Sequence, residues 1–87
     1  MILTMTTQIT NEKDFYRTAD LALAAAISLF YPVEAIDKQN PHKAQFIFKR
    51  NKDLDVLIES FWRGELKVDP ASYFNALRVI KARLYGE

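Results

Sequence analysis

The chain has 87 residues, no cysteine, and 12 basic against 11 acidic side chains, for a net charge of +1. That length makes one domain with little room for an enclosed pocket, since a chain of this size buries only about 60% of the surface its unfolded form exposes. Without cysteine there is neither a disulfide framework nor a thiolate metal site, and 49% apolar with 26% charged residues is a globular composition for which a cytoplasmic location is expected.

Residues 1–13 are polar, Thr-rich and without a helical period. They are read as a mobile arm or a short edge strand, with the folded domain over 14–87. No basic stretch precedes an apolar core here, so no signal peptide is expected. From about Asp14 to Tyr31 the pattern predicts a helix. Thr18 is its expected cap, Asp20 sits in its first turn where the helix dipole favours an acid, and Pro32 stops it. The apolar run from Leu21 to Tyr31, broken by Ser28, is 11 residues long; a membrane span needs about 20. This helix is apolar on almost every side, so it has to be covered on more than one face, by the remaining elements or by a second copy of the protein.

Two short alternating runs follow, VEAIDK and KAQFIFKR, separated by QNPH. Asn40 and Pro41 suit the first two positions of a type I turn, which predicts a β-hairpin. Ala44, Phe46 and Phe48 should face the core, while Lys43, Gln45, Ile47 and Lys49 face outward. Asn51 is the expected cap of a helix whose inner face is Leu54, Leu57, Ile58 and Phe61, with Gly64 ending it. Asp69-Pro70 then opens the last helix as a cap followed by proline at the first helical position. That helix should bury Tyr73, Leu77, Ile80 and Leu84, with Gly86 closing it. The fold class is α+β: helix, β-hairpin, helix, helix, with a small antiparallel sheet packed on helices. A lone hairpin is marginal in water, so it must lean on the helices or pair across a dimer.

Three stretches carry a family likeness: RTADLALAAA, KAQFIFKR running into an acidic amphipathic helix, and FWRGELKVDPASYFNALRVIKARLYG. From about Phe15 to Tyr85 the chain resembles a small family of uncharacterised domains found in bacterial, archaeal and phage genomes. The most specific part is the tail, an aromatic and Gly64 ahead of Val68, Pro70, Tyr73 and the helix ending at Tyr85. Family members often end the first helix in a glycine turn, where this chain has FYPVE. The resemblance implies the same order of elements and brings no catalytic residues with it.

Enzymatic chemistry needs convergent groups with shifted pKa values. The single histidine, His42, falls in the hairpin turn, and Asp53, Asp55 and Glu59 read as the solvated face of an amphipathic helix. The two glycines, Gly64 and Gly86, both stand at helix ends, so no Gly-rich phosphate loop is formed. The expectation is no catalytic residue, no cofactor, no metal site, no small-molecule substrate and no membrane partner.

Two surfaces remain. Residues 38–52 hold five basic residues and no acid. Lys38, His42, Lys43, Lys49, Arg50 and Lys52 together form a basic hairpin of the kind that attracts phosphate backbones, or one that guards a strand edge against aggregation. On the last helix, Phe74, Arg78, Lys81 and Tyr85 recur at i, i+4, i+7 and i+11, an aromatic and basic stripe flanking the buried face. Phe74 is expected to tuck under the hairpin, and Tyr85 to stay exposed. Trp62 is expected as a lid on the core; exposed, it would be the first residue to suspect of partner contact. The leading reading is a small non-catalytic module that binds DNA or RNA through the basic hairpin together with Arg78, Lys81 and Tyr85. The alternative is a protein-interaction or homodimeric assembly module using Leu29, Phe30, Trp62 and Phe74.

Overall fold

The structure is a computed structural model that describes residues 14–40 and 42–86; the expected arm at 1–13 lies outside them. Six elements follow in order: β1 (Phe15–Thr18), α1 (Leu21–Ser28), β2 (Ala35–Asp37), β3 (Gln45–Lys49), α2 (Lys52–Trp62) and α3 (Pro70–Tyr85). The class is α+β, and the hairpin and three helices follow in the expected order.

The first helix begins later than its pattern suggests. Phe15–Thr18 is a strand, pairing antiparallel with β3 in the register Phe15↔Lys49, Tyr16↔Phe48, Arg17↔Ile47 and Thr18↔Phe46. Two aromatics and a β-branched threonine favour the pleated conformation once a partner strand is present. Thr18 does not cap the helix. Its hydroxyl accepts from the Asp20 amide at 3.0 Å, and Asp20 is the N-cap, accepting from the Leu23 amide at 3.1 Å. β2 pairs on the other side of β3, so the sheet order is β1-β3-β2 with β3 in the middle. The hairpin therefore gains its support from a third strand of the same chain.

Alternation sends Phe46, Phe48, Tyr16 and Ile36 to the covered face of the sheet, and Phe46 and Phe48 are fully buried. α1 lies against this face. Five consecutive residues, Leu23 to Ile27, are buried, and at 100° per residue five in a row take in the whole circumference of a helix. The sheet, α2 and α3 all pack on α1, so its apolar faces are covered within one chain, each large buried side chain contributing about 1.5–3 kcal/mol.

The other two helices start and stop on the expected signals. Asn51 caps α2 by accepting from the Leu54 amide at 2.8 Å. Gly64 closes it with φ of +72°, while the Glu65 amide donates to the Ser60 carbonyl at 2.9 Å and the Gly64 amide to the Phe61 carbonyl at 3.0 Å. These two bonds form a Schellman motif. Nothing lies within 4 Å of an added Cβ at Gly64, so glycine is used there for its left-handed backbone, which costs other residues about 1–2 kcal/mol. Asp69 caps α3 through the Ser72 amide at 2.9 Å, with Pro70 at the first helical position. α3 turns Tyr73, Leu77, Ile80 and Leu84 inward, and the Tyr73 hydroxyl donates to the Ala22 carbonyl at 3.1 Å.

Candidate nucleic-acid interface

The basic hairpin and the α3 stripe meet at one end of the molecule. Beyond β2 the chain turns at Asn40, whose carbonyl accepts from the Lys43 amide at 3.0 Å and whose side chain accepts from the His42 amide at 3.0 Å. Local hydrogen bonds of this kind are what Asn contributes to a turn. The turn brings His42, Lys43 and Ala44 beside Leu84 and Tyr85 at the end of α3. With Ala19 and Leu21 they line an open cleft of about 270 Å³.

Lys38 adds a second contact between the hairpin and α3. Its Nζ donates to the Arg83 carbonyl at 3.0 Å, placing a cation on the last turn of α3, where the helix dipole favours positive charge. The sequence pattern puts Lys38 among the outward, ligand-facing cations. Its side chain also links the end of β2 to the end of α3.

Three of the candidate cations stand elsewhere. Lys43 and Lys49 are six residues apart, about 20 Å in extended chain. Lys49, Arg50 and Lys52 accordingly lie at the far end of β3 and the start of α2. Arg50 is partly neutralised, its Nε donating to Asp55 Oδ1 at 3.1 Å. Lys49 faces outward across from Phe15. The nine expected residues thus divide into a turn-side group (His42, Lys43, Arg78, Lys81, Tyr85), a far-side group (Lys49, Arg50, Lys52) and Lys38.

On α3 the stripe holds. Phe74, Arg78, Lys81 and Tyr85 are all exposed, and they share one face along about 16 Å of helix. Tyr85 is 75% exposed. Phe74, at 64%, does not tuck under the hairpin. Tyr73 occupies the inward position, and Phe74, one residue round the helix, rests edge-on against its ring with centroids 6.2 Å apart. Trp62 is not a core lid either, for the same reason. Phe61 takes the inward place, leaving Trp62 61% exposed with its ring edge-on to Phe61 at 5.0 Å. Leu29 is half-buried in a shallow groove of about 520 Å³ between the end of α1 and α3, and Phe30 is exposed.

Arg17 is absent from the expected site residues, because the pattern around it is compatible with a helix. On β1 it faces outward and its Nη1 donates to Asp37 Oδ2 at 3.1 Å and Gln45 Oε1 at 3.3 Å across the sheet. The signal that finds it is the run Phe15-Tyr16-Arg17-Thr18 taken at a period of two.

Shifted titrations are tied to structural contacts. Asp37 lies below the usual carboxylate range because it accepts from the Gln39 amide and from Arg17. Asp69 is lowered by the Ser72 amide and hydroxyl that it caps. Tyr16 and Tyr73 are raised, chiefly by partial burial and then by the charge of Asp20. Of the α2 carboxylates, Asp55 pairs with Arg50, and Glu59 accepts from Arg63 at 2.7 Å one turn along. Among the described residues no group of three or more His, Asp or Glu is placed to hold a metal ion, and no helix is long and apolar enough to cross a membrane.

These features define a small α+β domain, a three-stranded sheet covered on one face by helices, with an aromatic and basic cleft where its hairpin turn meets the last helix. The chain belongs to the family DUF5659, a domain of unknown function, whose family model matches residues 13–86. Comparisons with curated proteins and with solved structures find no significant match.

Proposed function

We propose that this domain is a non-catalytic cytoplasmic binding module that takes nucleic acid at the turn end of the molecule. One observation carries the reading: Tyr85, His42 and Lys43 share a cleft, and Lys81 and Arg78 continue from it along one face of α3. Aromatic faces beside Lys and Arg are what a nucleic-acid strand needs, a platform for bases and counter-charge for phosphates. The far-side cations are separate from this patch, and Arg50 is already paired.

The test is titration with mixed-sequence single-stranded DNA, duplex DNA and RNA across a salt series. Micromolar binding that weakens steeply with salt is expected. Every phosphate left without its cation lowers the slope of log affinity against log salt by about 0.7–0.9. Lys43→Glu with Lys81→Glu should weaken binding and flatten that slope, whereas Lys52→Glu should leave both nearly unchanged. No binding at low salt would sink the proposal, and an equal effect at Lys52 would move the site to the far end.

Protein contact is a second reading, supported by the exposure of Trp62 and Phe74, since aromatics are enriched at interface hot spots. If the domain associates with itself through them, sedimentation equilibrium should show a mass that rises with concentration in the wild type and not in Trp62→Ser with Phe74→Ser. A constant monomer mass in both proteins would remove the homodimer.

A further inference from the structure

From the cleft between the hairpin turn and Tyr85, we infer that the module takes one unpaired nucleobase there and so distinguishes single-stranded from duplex nucleic acid; this rests on the nucleic-acid reading above.

The size of the cleft argues for a single flat group. At about 270 Å³ it lies below the roughly 300–1,000 Å³ typical of pockets that enclose a small molecule. Its lining includes the half-buried Leu21, Ala44 and Leu84 and the exposed Tyr85. Tyr85 has no part in the buried core: it is the most exposed of the large apolar and aromatic side chains in the described residues. An exposed aromatic ring that lines a cleft is a surface on which any base can stack, which makes such stacking tolerant of sequence.

The charge around the cleft fits the rest of a nucleotide. Lys43 is in its wall, Lys81 is one turn from Tyr85 on the same face, and among the described residues no acidic side chain lines it. Asp20, between the lining residues Ala19 and Leu21, is engaged as the cap of α1, accepting from the Leu23 amide. Near the cleft, Lys38 Nζ donates to the Arg83 carbonyl, linking the end of β2 to the last turn of α3.

Duplex nucleic acid presents phosphates to Lys43, Lys81 and Arg78 as a single strand does. Its bases, however, are stacked inside and show no open face to Tyr85. Phosphate contacts alone bind both forms, and the cleft adds affinity for the single strand only.

Fluorescence anisotropy with a labelled twelve-nucleotide oligo(dT) and a twelve-base-pair duplex tests this on wild type, Tyr85→Ala, Tyr85→Phe and Lys43→Glu. Tyr85 is outside the core, so circular dichroism should show all four folded. Wild type is expected to prefer the single strand by about tenfold or more. Tyr85→Ala should lose about 5- to 100-fold of single-strand affinity, with duplex binding and the salt slope unchanged. Tyr85→Phe should keep the preference, and Lys43→Glu should weaken both forms. If wild type binds both forms equally, or Tyr85→Ala keeps the preference, the cleft assignment is overturned while nucleic-acid binding stands. If neither form binds at low salt, the parent reading falls and the cleft assignment with it.

Discussion

Phe46→Ala is expected to lower the stability of the domain by about 3–5 kcal/mol. Phe46 sits on the middle strand, opposite Thr18 of β1 and Ile36 of β2, with its side chain fully buried against the α1 side of the core. Removing the ring forfeits its transfer from water and leaves a cavity that three strands and a helix cannot all close around. At about 0.05–0.15 kcal/mol per residue, a domain of this length has only about 4–13 kcal/mol to lose. Urea denaturation should therefore show a midpoint far below that of the wild type, or no folded baseline. Ile47→Ala, one residue along on the opposite face, is the control and should cost much less. Equal losses for the two would mean that the wrong face of the sheet has been assigned to the core.

Ala25→Asp should be nearly as severe. Ala25 is completely buried in a helix enclosed on every side, and among the described residues the buried polar or charged side chains comprise Thr18 alone. An ionised carboxylate there would cost several kcal/mol, so the group would instead hold its proton to unusually high pH. The sign follows from linkage. Because the folded-state pKa would be raised above the unfolded value, the penalty is full above the folded pKa and shrinks as pH falls below it toward the ordinary carboxylate range. Ala25→Asn separates charge from size. Thermal melts should show the Asp variant recovering toward the Asn variant as pH is lowered from 8 to about 5. If the gap between them does not depend on pH, residue 25 is reached by water or a counter-charge.

The elements with local signals are legible in the sequence. α2 and α3 are bounded by Asn51, Gly64, Asp69 and Pro70, and each of these acts on neighbours within a few residues. The inner face of β3 follows from Phe46 and Phe48 sharing one phase of the strand while Gln45 and Lys49 share the other with Ile47. β1 is not legible as a strand, because what makes it one is β3, about thirty residues further on. Without that partner, Asp14 to Thr18 is compatible with the helix that follows. Trp62 and Phe74 escape for a different reason. Each has an adjacent aromatic, Phe61 or Tyr73, and neighbours on a helix point about 100° apart, so the core here takes one of each pair. The helical phase names Phe61 and Tyr73 correctly; what it cannot say is that nothing else in the described fold covers the other member of each pair. The stripe on α3 is visible from spacing alone, and so is the charge of the hairpin. That they meet is a tertiary fact, marked by Lys38 reaching the Arg83 carbonyl, a contact 45 residues apart that no periodicity encodes.

The strand order has a consequence for how the domain is made. β1 emerges ahead of the other five elements, yet among the described strands it pairs with β3 alone, so no part of that pairing exists until the hairpin has been synthesised. β2 and β3 are close in sequence and close a short loop, whereas joining β1 to β3 closes a long one, whose entropic cost grows with the logarithm of its length. Between the two lies α1, apolar but for Ser28 and complete before most of the surfaces that enclose it. Of the six elements, the one with the greatest need of cover is thus the second to leave the ribosome, and α3, a main part of that cover, follows all the others.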